Sequence, residues 1–518
     1  MKIYTTKYKL GQDNLQKYGL DIHNPVFIIS AMLILVFVIG TILAPKEAKE
    51  LLDGAKWWSI NNFDWLFMLS GNIFVLFSLY LVISPLGKIK LGGDDAKTEF
   101  STLSWFAMLF SAGMGIGLMY WSVTEPVAYY TGWWHTPLNV IAHTNEAKEL
   151  AMGATMFHWG LHPWAIYALV GLSLAFFSYN KKLPLTIRSV FFPILKDKIW
   201  GWPGHLIDVL AVFATLFGLA TSLGLGAQQI ASGLHFLFDW DKDTNTQIII
   251  ILGITLLAVI SVATGLKKGV KLLSNFNIIL ALLLLLFIVS LGNSFDIILS
   301  VGTTISDYAK NIIPLSNFVG REDTDWFHGW TVFYWAWWIA WSPFVGMFIA
   351  RISKGRTVRE FIIAVLLVPT FVTAIWMSVF GATAIDQVIG QVGALSNGIT
   401  DKSLSLFQML QSLPLASITS FIAIILVMIF FITSSDSGSL VIDSITSGGK
   451  VDAPVAQRIF WALVEGLVAI SLLYVGGTDA LSALQAGSIT TALPFCMILL
   501  VMCYSLYIGL KSELQTKV

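Results

Sequence analysis

Apolar runs of about twenty residues recur along the whole chain, and each is long enough to cross a bilayer as a helix. A backbone inside a bilayer must satisfy its own hydrogen bonds, so continuous apolar runs fold there as helices. Of the 518 residues, 56% are hydrophobic and 12% are charged, which is far from the balance of a soluble domain. The sequence therefore predicts an all-α polytopic membrane protein.

We predict twelve transmembrane helices. They cover residues 25–44, 62–86, 102–122, 152–178, 204–234, 246–265, 273–300, 327–350, 358–384, 413–438, 456–475 and 484–510. With both termini on one side, that side carries 23 of the 31 lysine and arginine residues. The positive-inside rule then predicts that both termini are cytoplasmic.

Five tryptophans fall within twelve residues of the eighth predicted span: Trp330, Trp335, Trp337, Trp338 and Trp341. Interfacial belts place tryptophan at the ends of membrane helices, whereas this cluster fills most of a span. We interpret only Trp330, at the outer end, as interfacial. Indole faces at mid-membrane suit a cation that cannot donate hydrogen bonds, such as a quaternary ammonium.

Three glycines occupy alternate positions in the middle of the third predicted span, at Gly113, Gly115 and Gly117. Each glycine weakens a helix by about 1 kcal/mol relative to alanine. Close packing of membrane helices normally uses a glycine spacing of four. The spacing of two therefore favours an irregular stretch whose backbone N–H groups face a cavity and suit a carboxylate.

Two further spans contain polar residues. His158 and His162 lie four apart beside Pro163, which we expect to interrupt the fourth span. No third ligand with suitable spacing accompanies the two histidines, so we expect packing or capping roles for them. In the tenth span, Thr433 and Ser434 offer hard oxygen ligands for an alkali cation or bond back to their own helix, and both interpretations stay open.

Four stretches together resemble the betaine/choline/carnitine transporter (BCCT) family. They are FYWAWWIAWSPFVGMFIARISKGR, AGMGIGLMYWSVTEP, HWGLHPWAIY and FFITSSDSGS. The resemblance implies a leucine-transporter-like fold with a 5+5 inverted repeat, preceded by two extra helices, and a homotrimer in the bacterial cytoplasmic membrane. The implied division is 1–24 cytoplasmic segment, 25–100 extra helices, 101–301 first repeat, 302–326 amphipathic connection, 327–510 second repeat and 511–518 cytoplasmic tail.

The same resemblance implies the site residues. The aromatic box falls on Trp159, Trp164, Tyr167 and Trp338, and the route to the cytoplasm on Trp337 and Trp341. The stretch with Gly113, Met114, Gly115 and Gly117 would face the substrate carboxylate. A first Na⁺ site falls on Ser111, Met114, Phe430, Thr433 and Ser434. A second falls on Thr215 and Phe344, but Leu219 stands where the family has another threonine.

The resulting prediction is a symporter that imports a zwitterionic onium osmolyte, glycine betaine or dimethylsulfoniopropionate, with one or two Na⁺. Within the family, proton-coupled choline carriers resemble this chain but have an acidic residue at the position of Gly117, and carnitine exchangers replace sodium by a fixed positive charge. A channel would need repeated polar rings. Enzyme motifs such as HExxH and GxSxG do not occur, and a net charge of zero implies no nucleic-acid partner.

Overall fold

The computed structural model describes residues 4, 6–113, 115–264, 267–291 and 294–515, without the side chains of 110–113, 267–271 and 294–295. Its long helices are α1 (Asn24–Leu43), α2 (Pro45–Ile83), α3 (Thr102–Gly113), α4 (Ile116–Thr131), α5 (Asn145–Trp159), α6 (Leu161–Ala175), α7 (Trp202–Phe238), α8 (Thr244–Ala263), α9 (Lys267–Leu291), α10 (Ser294–Ser316), α11 (Phe333–Ile352), α12 (Val358–Met377), α13 (Ala416–Thr446), α14 (Val455–Gly476) and α15 (Ala480–Gln515). Short α-helices cover Phe192–Leu195, Thr324–Trp326, Thr383–Ile389 and Ser405–Gln411.

Tighter and wider helical turns join several of these elements. The 3₁₀ turns are Pro85–Lys88, Pro137–Asn139, Ile187–Phe191, Lys196–Trp200, Ala394–Asn397, Lys402–Leu404 and Gly477–Asp479. The π-helical segments are Phe176–Asn180, Phe327–Val332 and Ser378–Ala382. One antiparallel hairpin, β1 (Asn14–Lys17) with β2 (Leu20–His23), precedes α1.

The fold class predicted from hydropathy is confirmed. In the described part of the chain, ten segments are long and apolar enough to cross a membrane. The last of them, Val455–Gln515, contains both α14 and α15, and the interrupted pair α3–α4 is not among the ten. The protein is therefore an all-α polytopic membrane protein, while the count of twelve spans and the inverted repeat stay predictions.

One predicted span ends too late. We placed the seventh span at 273–300, but α9 ends at Leu291 and α10 already begins at Ser294. The apolar residues Ile297, Ile298 and Leu299 continue the hydrophobic run across this boundary, so hydropathy alone does not separate the two helices. The predicted amphipathic connection, 302–326, begins within the later part of α10, which packs against α5.

The tryptophan-rich helix α11 lies inside the bundle and packs against α6, α7 and α15. Most of its side chains are buried, which explains why its sequence is apolar on every face. Glycines allow the contact with α6, because a Cβ at Gly346 would come within 2.6 Å of Val170 Cγ1. Such small-residue contacts are typical of membrane helix packing.

Gly160 interrupts the fourth predicted span, so the prediction that Pro163 does so is wrong. Gly160 separates α5 from α6, and a Cβ there would lie 2.6 Å from the carbonyl oxygen of Met156. Pro163 lies in the first turn of α6, where a helix does not need the missing N–H. Tyr308 of α10 accepts a hydrogen bond from the Leu161 N–H at 2.9 Å and thereby caps the new helix.

The N-terminal hairpin is tied to the ends of α13 and α14. Asn14 donates from its amide to the carbonyl oxygen of Ser447 at 2.9 Å. Asp21 forms an ion pair with Lys450, and its backbone N–H donates to the side chain of Gln457 at 2.6 Å. These contacts hold the segment before α1 against the side of the bundle where α13 ends and α14 begins.

Candidate functional site

An aromatic pocket lies where the two interrupted helix pairs meet α7, α11 and α12. It is lined by Gly115, Ile116, Gly117, Leu118, Trp159, Pro163, Trp164, Tyr167, Ser222, Trp337, Trp338, Trp341 and Thr373. The structure thus brings all six predicted aromatic site residues together with two of the predicted glycines. The sequence did not indicate that Ser222 and Thr373 would join them.

Three ring pairs in this pocket are nearly perpendicular, and one pair is stacked. Trp338 meets Trp159 at 74° with ring centroids 5.0 Å apart, and it meets Tyr167 at 80° and 6.2 Å. Trp164 and Tyr167 meet at 79° and 5.3 Å. On the other side, Trp337 stacks on Trp338 at 4.8 Å. Several π-faces therefore border one space, which is the arrangement that an onium head requires.

Hydrogen bonds hold the indole rings of this pocket by their N–H groups. Trp338 donates to the carbonyl oxygen of His158 at 2.9 Å, which lies in the last turn of α5. Trp341 donates to the carbonyl oxygen of Gly218 on α7 at 2.8 Å. The polar edges of Trp338 and Trp341 are thus satisfied by the protein, and their faces stay available for a ligand.

The glycine stretch is irregular, as predicted. Gly115 is extended (φ −163°, ψ −176°) between the end of α3 at Gly113 and the start of α4. The first backbone N–H groups of α4 have no partner within their helix, so they form a site suited to a carboxylate. A Cβ at Gly117 would lie 2.6 Å from Trp337 and 3.0 Å from Trp159. Met114 lies outside the described residues.

Glu125 of α4 organises one wall of the pocket, although the sequence did not single it out. The side chain is fully buried. Its Oε2 accepts from Trp159 Nε1 at 2.8 Å and from the Tyr334 hydroxyl at 2.5 Å. Its Oε1 accepts from the Tyr129 hydroxyl at 2.9 Å and lies 2.8 Å from His158 Nδ1. A carboxylate inside an apolar helix is itself a signal of function, and that signal was available.

Each histidine of the fourth span has partners outside a metal site. His158 Nε2 lies 3.0 Å from the hydroxyl of Thr331, and His162 Nε2 lies 3.1 Å from the side-chain oxygen of Asn72. Among the described residues, no group of three histidine, cysteine or acidic side chains could hold a metal ion. The expected packing role of both histidines agrees with these contacts.

A second cavity contains most of the predicted sodium ligands. It is lined by Ser274, Asn277, Ile278, Trp341, Phe344, Val345, Phe348, Phe430, Thr433, Ser434 and Ser437. Trp341 borders both cavities. The Thr433 hydroxyl donates to the carbonyl oxygen of Ile429 at 2.9 Å, so it bonds back to its own helix while its lone pairs remain free to accept a cation.

Three predicted ion ligands are not placed in this second cavity. Met114 and the side chain of Ser111 lie outside the description. Thr215 is fully buried, donates to the carbonyl oxygen of Ala211 at 2.7 Å and lines neither cavity. Thr215 therefore does not share this cavity with Phe344, and the second Na⁺ site stays a prediction. The structure adds Asn277, whose side-chain amide is buried without a hydrogen-bond partner among the described residues.

Interrupted membrane helices around an enclosed binding pocket are typical of secondary transporters. The family model described as "BCCT, betaine/carnitine/choline family transporter" matches residues 25–515. The chain therefore belongs to the betaine/carnitine/choline transporter family, and it is a transporter and not an enzyme.

Curated relatives carry names of the same kind. "Glycine betaine transporter 1" of Vibrio parahaemolyticus is 62% identical over 99% of this chain and 98% of its own length. A glycine betaine/proline/choline/ectoine transporter of the same species is 59% identical over 99% and 92%. A glycine betaine transporter of Acinetobacter baylyi is 42% identical over 95% and 74%. A solved manganese transporter from Eremococcus coleocola aligns with a TM-score of 0.44 at 13% identity, covering 80% of this chain and 83% of its own.

Proposed function

We propose that the protein is a secondary active symporter that imports a zwitterionic onium osmolyte with Na⁺ by alternating access. The substrate is glycine betaine or a close analogue such as dimethylsulfoniopropionate. The observation that carries the proposal is the aromatic pocket, which combines indole faces with the exposed backbone at Gly115 and has no acidic side chain in its lining. The membrane is the bacterial cytoplasmic membrane, with both termini on the cytoplasmic side.

The pocket offers complementary sites to the two ends of such a substrate. A trimethylammonium or dimethylsulfonium head cannot donate strong hydrogen bonds, so ring faces are its natural partners, at about 2 kcal/mol for a desolvated contact. The carboxylate then meets the N-terminus of α4, where backbone N–H groups and the helix dipole favour negative charge. The names of the relatives support glycine betaine as the substrate.

Choline is the competing substrate within the same pocket. It shares the onium head but lacks the carboxylate, so a site selective for choline needs an additional anion. The lining has none, and Gly117 stands where the resemblance expects an acidic residue in choline carriers. Choline nevertheless occurs in the names of two relatives that are 59% and 50% identical, so it belongs in every substrate panel.

The cavity with Thr433 and Ser434 is our candidate for the coupling ion. Hydroxyl and carbonyl oxygens are the hard ligands that an alkali cation prefers. Because Trp341 borders this cavity and the aromatic pocket, the occupancy of one can affect the other. Each Na⁺ that enters with a neutral zwitterion gains about 2.3 kcal/mol per 100 mV of membrane potential.

Uptake into proteoliposomes with and without an inward Na⁺ gradient tests the proposal. The panel contains glycine betaine, dimethylsulfoniopropionate, choline, carnitine and ectoine. We expect saturable accumulation of the zwitterions that requires the Na⁺ gradient. Accumulation driven by a proton gradient in the complete absence of Na⁺ would identify a proton symporter, and uptake only into vesicles preloaded with substrate would identify an exchanger. Flux that does not saturate would indicate a channel.

Size measurement in detergent tests the homotrimer that the resemblance implies.

A further inference from the structure

A second buried carboxyl group, Glu465 of α14, lies away from both cavities. The side chain is fully buried inside a membrane-spanning segment. Its Oε2 accepts a hydrogen bond from the Ser435 hydroxyl of α13 at 2.9 Å. Its Oε1 is buried and has no hydrogen-bond partner in the part of the chain that the structure describes. Buried polar atoms in proteins are nearly always paired, so the bare oxygen requires an explanation.

Apolar and uncharged groups surround the carboxyl group on most sides. The Oε1 atom would lie 3.1 Å from a Cβ built at Gly438 of α13, and that Cβ would also come within 2.4 Å of Leu219 on α7. Helix α8 contributes Thr255, which contacts the neighbouring Gly466. Helix α1 has no titratable side chain.

The charged groups near Glu465 do not compensate a negative charge. Asp436, directly after Ser435, is a like charge that acts on Glu465. Arg458 on the same helix lies about two turns away and pairs with Asp443 at 3.3 Å. Among the described residues, no lysine or arginine forms an ion pair with Glu465, and α15 has no titratable side chain that interacts with it. An unpaired carboxylate in such surroundings is very costly.

We propose that Glu465 is a proton-binding site within the bundle, and that it gains and loses this proton during the transport cycle. In the described conformation the carboxyl group is neutral, with the proton on the otherwise bare Oε1. The Ser435 hydroxyl is the one group that hydrogen-bonds to this carboxyl group among the described residues, which is fewer oxygen ligands than a sodium ion takes.

The position of Glu465 connects this proton to transport. Ser435 directly follows Ser434, one of the proposed sodium ligands, so α13 carries both contacts. Leu219 of α7 and Oε1 both lie close to Gly438 of α13, so three helices meet at this carboxyl group. When α13 and α7 move relative to α14, Oε1 reaches water and its proton exchanges. This inference rests on the proposed symport, to which it adds a second coupling ion.

Proteoliposomes with equal Na⁺ on both sides and the membrane potential clamped at zero test this inference. An outside pH one unit below the inside pH is the only driving force. If one proton moves with each substrate, wild-type protein accumulates glycine betaine up to about tenfold. Glu465→Gln, which is permanently neutral and of the same size, should show no accumulation under this gradient. It should still accumulate betaine when a Na⁺ gradient is imposed.

Control variants separate the outcomes. Asp436→Asn should keep the response to the pH gradient. If Asp436→Asn loses the response and Glu465→Gln keeps it, the assignment is overturned. Absence of the response in wild-type protein that remains sodium-driven would also overturn it, and so would a response in Glu465→Gln equal to that of wild type. If Glu465→Gln does not fold, Glu465→Asp decides, because it keeps a carboxyl group but moves it. A response to the pH gradient that is lost or whose dependence on outside pH is shifted supports the assignment, and a response identical to that of wild type in size and pH dependence refutes it. Failure of both gradients in wild type would instead refute the proposed symport.

Discussion

Trp338 is the residue on which most of the aromatic pocket depends, because it forms ring contacts with Trp159, Tyr167 and Trp337. We predict that Trp338→Ala weakens glycine betaine binding about thirtyfold, since a desolvated cation–π contact contributes about 2 kcal/mol. Calorimetric or fluorescence titration of purified protein measures the effect. Unchanged affinity in a folded variant would show that the substrate does not bind against this ring.

Trp338→Phe and Trp330→Phe are the matched controls. The first keeps a weaker π-face, so we expect an affinity between those of wild type and Trp338→Ala. Trp330 does not line the aromatic pocket, and its ring packs against Trp121 and Tyr129. Its replacement by phenylalanine should leave betaine affinity within a few-fold of wild type.

Glu125 fixes the orientation of Trp159, and the two oxygens of its carboxylate have different partners. We predict that Glu125→Ala reduces betaine affinity more than tenfold and lowers the melting temperature, since each buried donor left unpaired costs about 1–3 kcal/mol. Glu125→Gln should retain most of the betaine affinity and most of the thermal stability, because an amide oxygen in place of Oε2 still accepts from Trp159 and Tyr334. Its amide N–H can donate to a neutral His158. An equally severe defect in both variants would mean that the negative charge itself is required.

The tryptophan and glycine clusters inside apolar spans indicated an onium site, and the resemblance to the family then implied which residues form the aromatic pocket. Glu125 was missed for a physical reason: its role depends on Tyr334 and Trp159, which lie on other helices, and no spacing along the chain shows this. The interfacial position of Trp330 stays a prediction. Its side chain is only 4% exposed and donates to the carbonyl oxygen of Trp134 at 3.4 Å, a contact within the protein that the sequence did not indicate.

Among the secondary-structure elements, we expect the start of α4 to determine whether the pocket binds a substrate with a carboxylate. We predict that Gly117→Asp rejects glycine betaine and gains affinity for choline. The new carboxylate repels the carboxylate of betaine, and it attracts the choline cation, which has no carboxylate of its own. The added side chain must also displace Trp337, since even a Cβ would lie 2.6 Å away. Gly117→Ala therefore isolates the steric effect, and it should weaken betaine and choline alike. Competition binding with both ligands distinguishes charge from crowding.

Helix α13 places Thr433 and Ser434 in the cavity that we assign to the coupling ion. We predict that the double variant Thr433→Ala, Ser434→Ala binds betaine weakly and that added Na⁺ no longer improves this binding. The reason is linkage: Na⁺ raises substrate affinity only by stabilising the conformation that binds substrate, and a variant that does not bind Na⁺ loses this effect. Titrations at increasing NaCl, with KCl at equal ionic strength as the control, measure the effect. If the betaine affinity of the double variant still rises with NaCl as in wild type, the ion binds elsewhere, and Thr215 is the next candidate ligand.

Breaks in the helices were predicted with mixed success. The interruption at Gly115 was expected, because alternate glycines leave an α-helix without support. At the fourth span, proline was an obvious helix breaker, but its position in a first turn is compatible with a helix that starts anew. The actual break at Gly160 depends on close contact with Tyr308 of α10, which is a tertiary effect that the local sequence does not contain.

For the molecule as a whole, hydropathy was sufficient to predict the class, since long apolar runs have few alternative structures. The N-terminal hairpin was not predicted, because its strands are only four residues long and are stabilised by contacts with distant parts of the chain. One of these contacts involves His23, which is fully buried at the end of β2. Arg188 donates to His23 Nε2 at 3.2 Å and also pairs with Asp208 at 3.1 Å.

We predict that acid loosens this attachment of the N-terminal segment. Burial, together with the nearby Arg188 guanidinium, lowers the pKa of His23 to about 3, whereas a histidine in an unfolded segment has a pKa of about 6.5. The folded state therefore holds His23 neutral, and below pH 6.5 the released segment binds a proton that the attached one does not. The stability of the attachment is full above pH 6.5 and falls as the pH decreases from there toward 3.

Limited proteolysis of the N-terminal segment between pH 7.5 and 5 should show faster cleavage at the lower pH, using a protease whose rate on an unfolded peptide is known at each pH. In His23→Asn, whose side-chain oxygen can still accept from Arg188, the pH dependence should be smaller. It should not vanish, because His205 contacts the same guanidinium at 3.2 Å. His135→Asn removes a histidine that is exposed, and it should behave like wild type. Equal pH dependence in wild type and His23→Asn would show that the attachment does not depend on this imidazole.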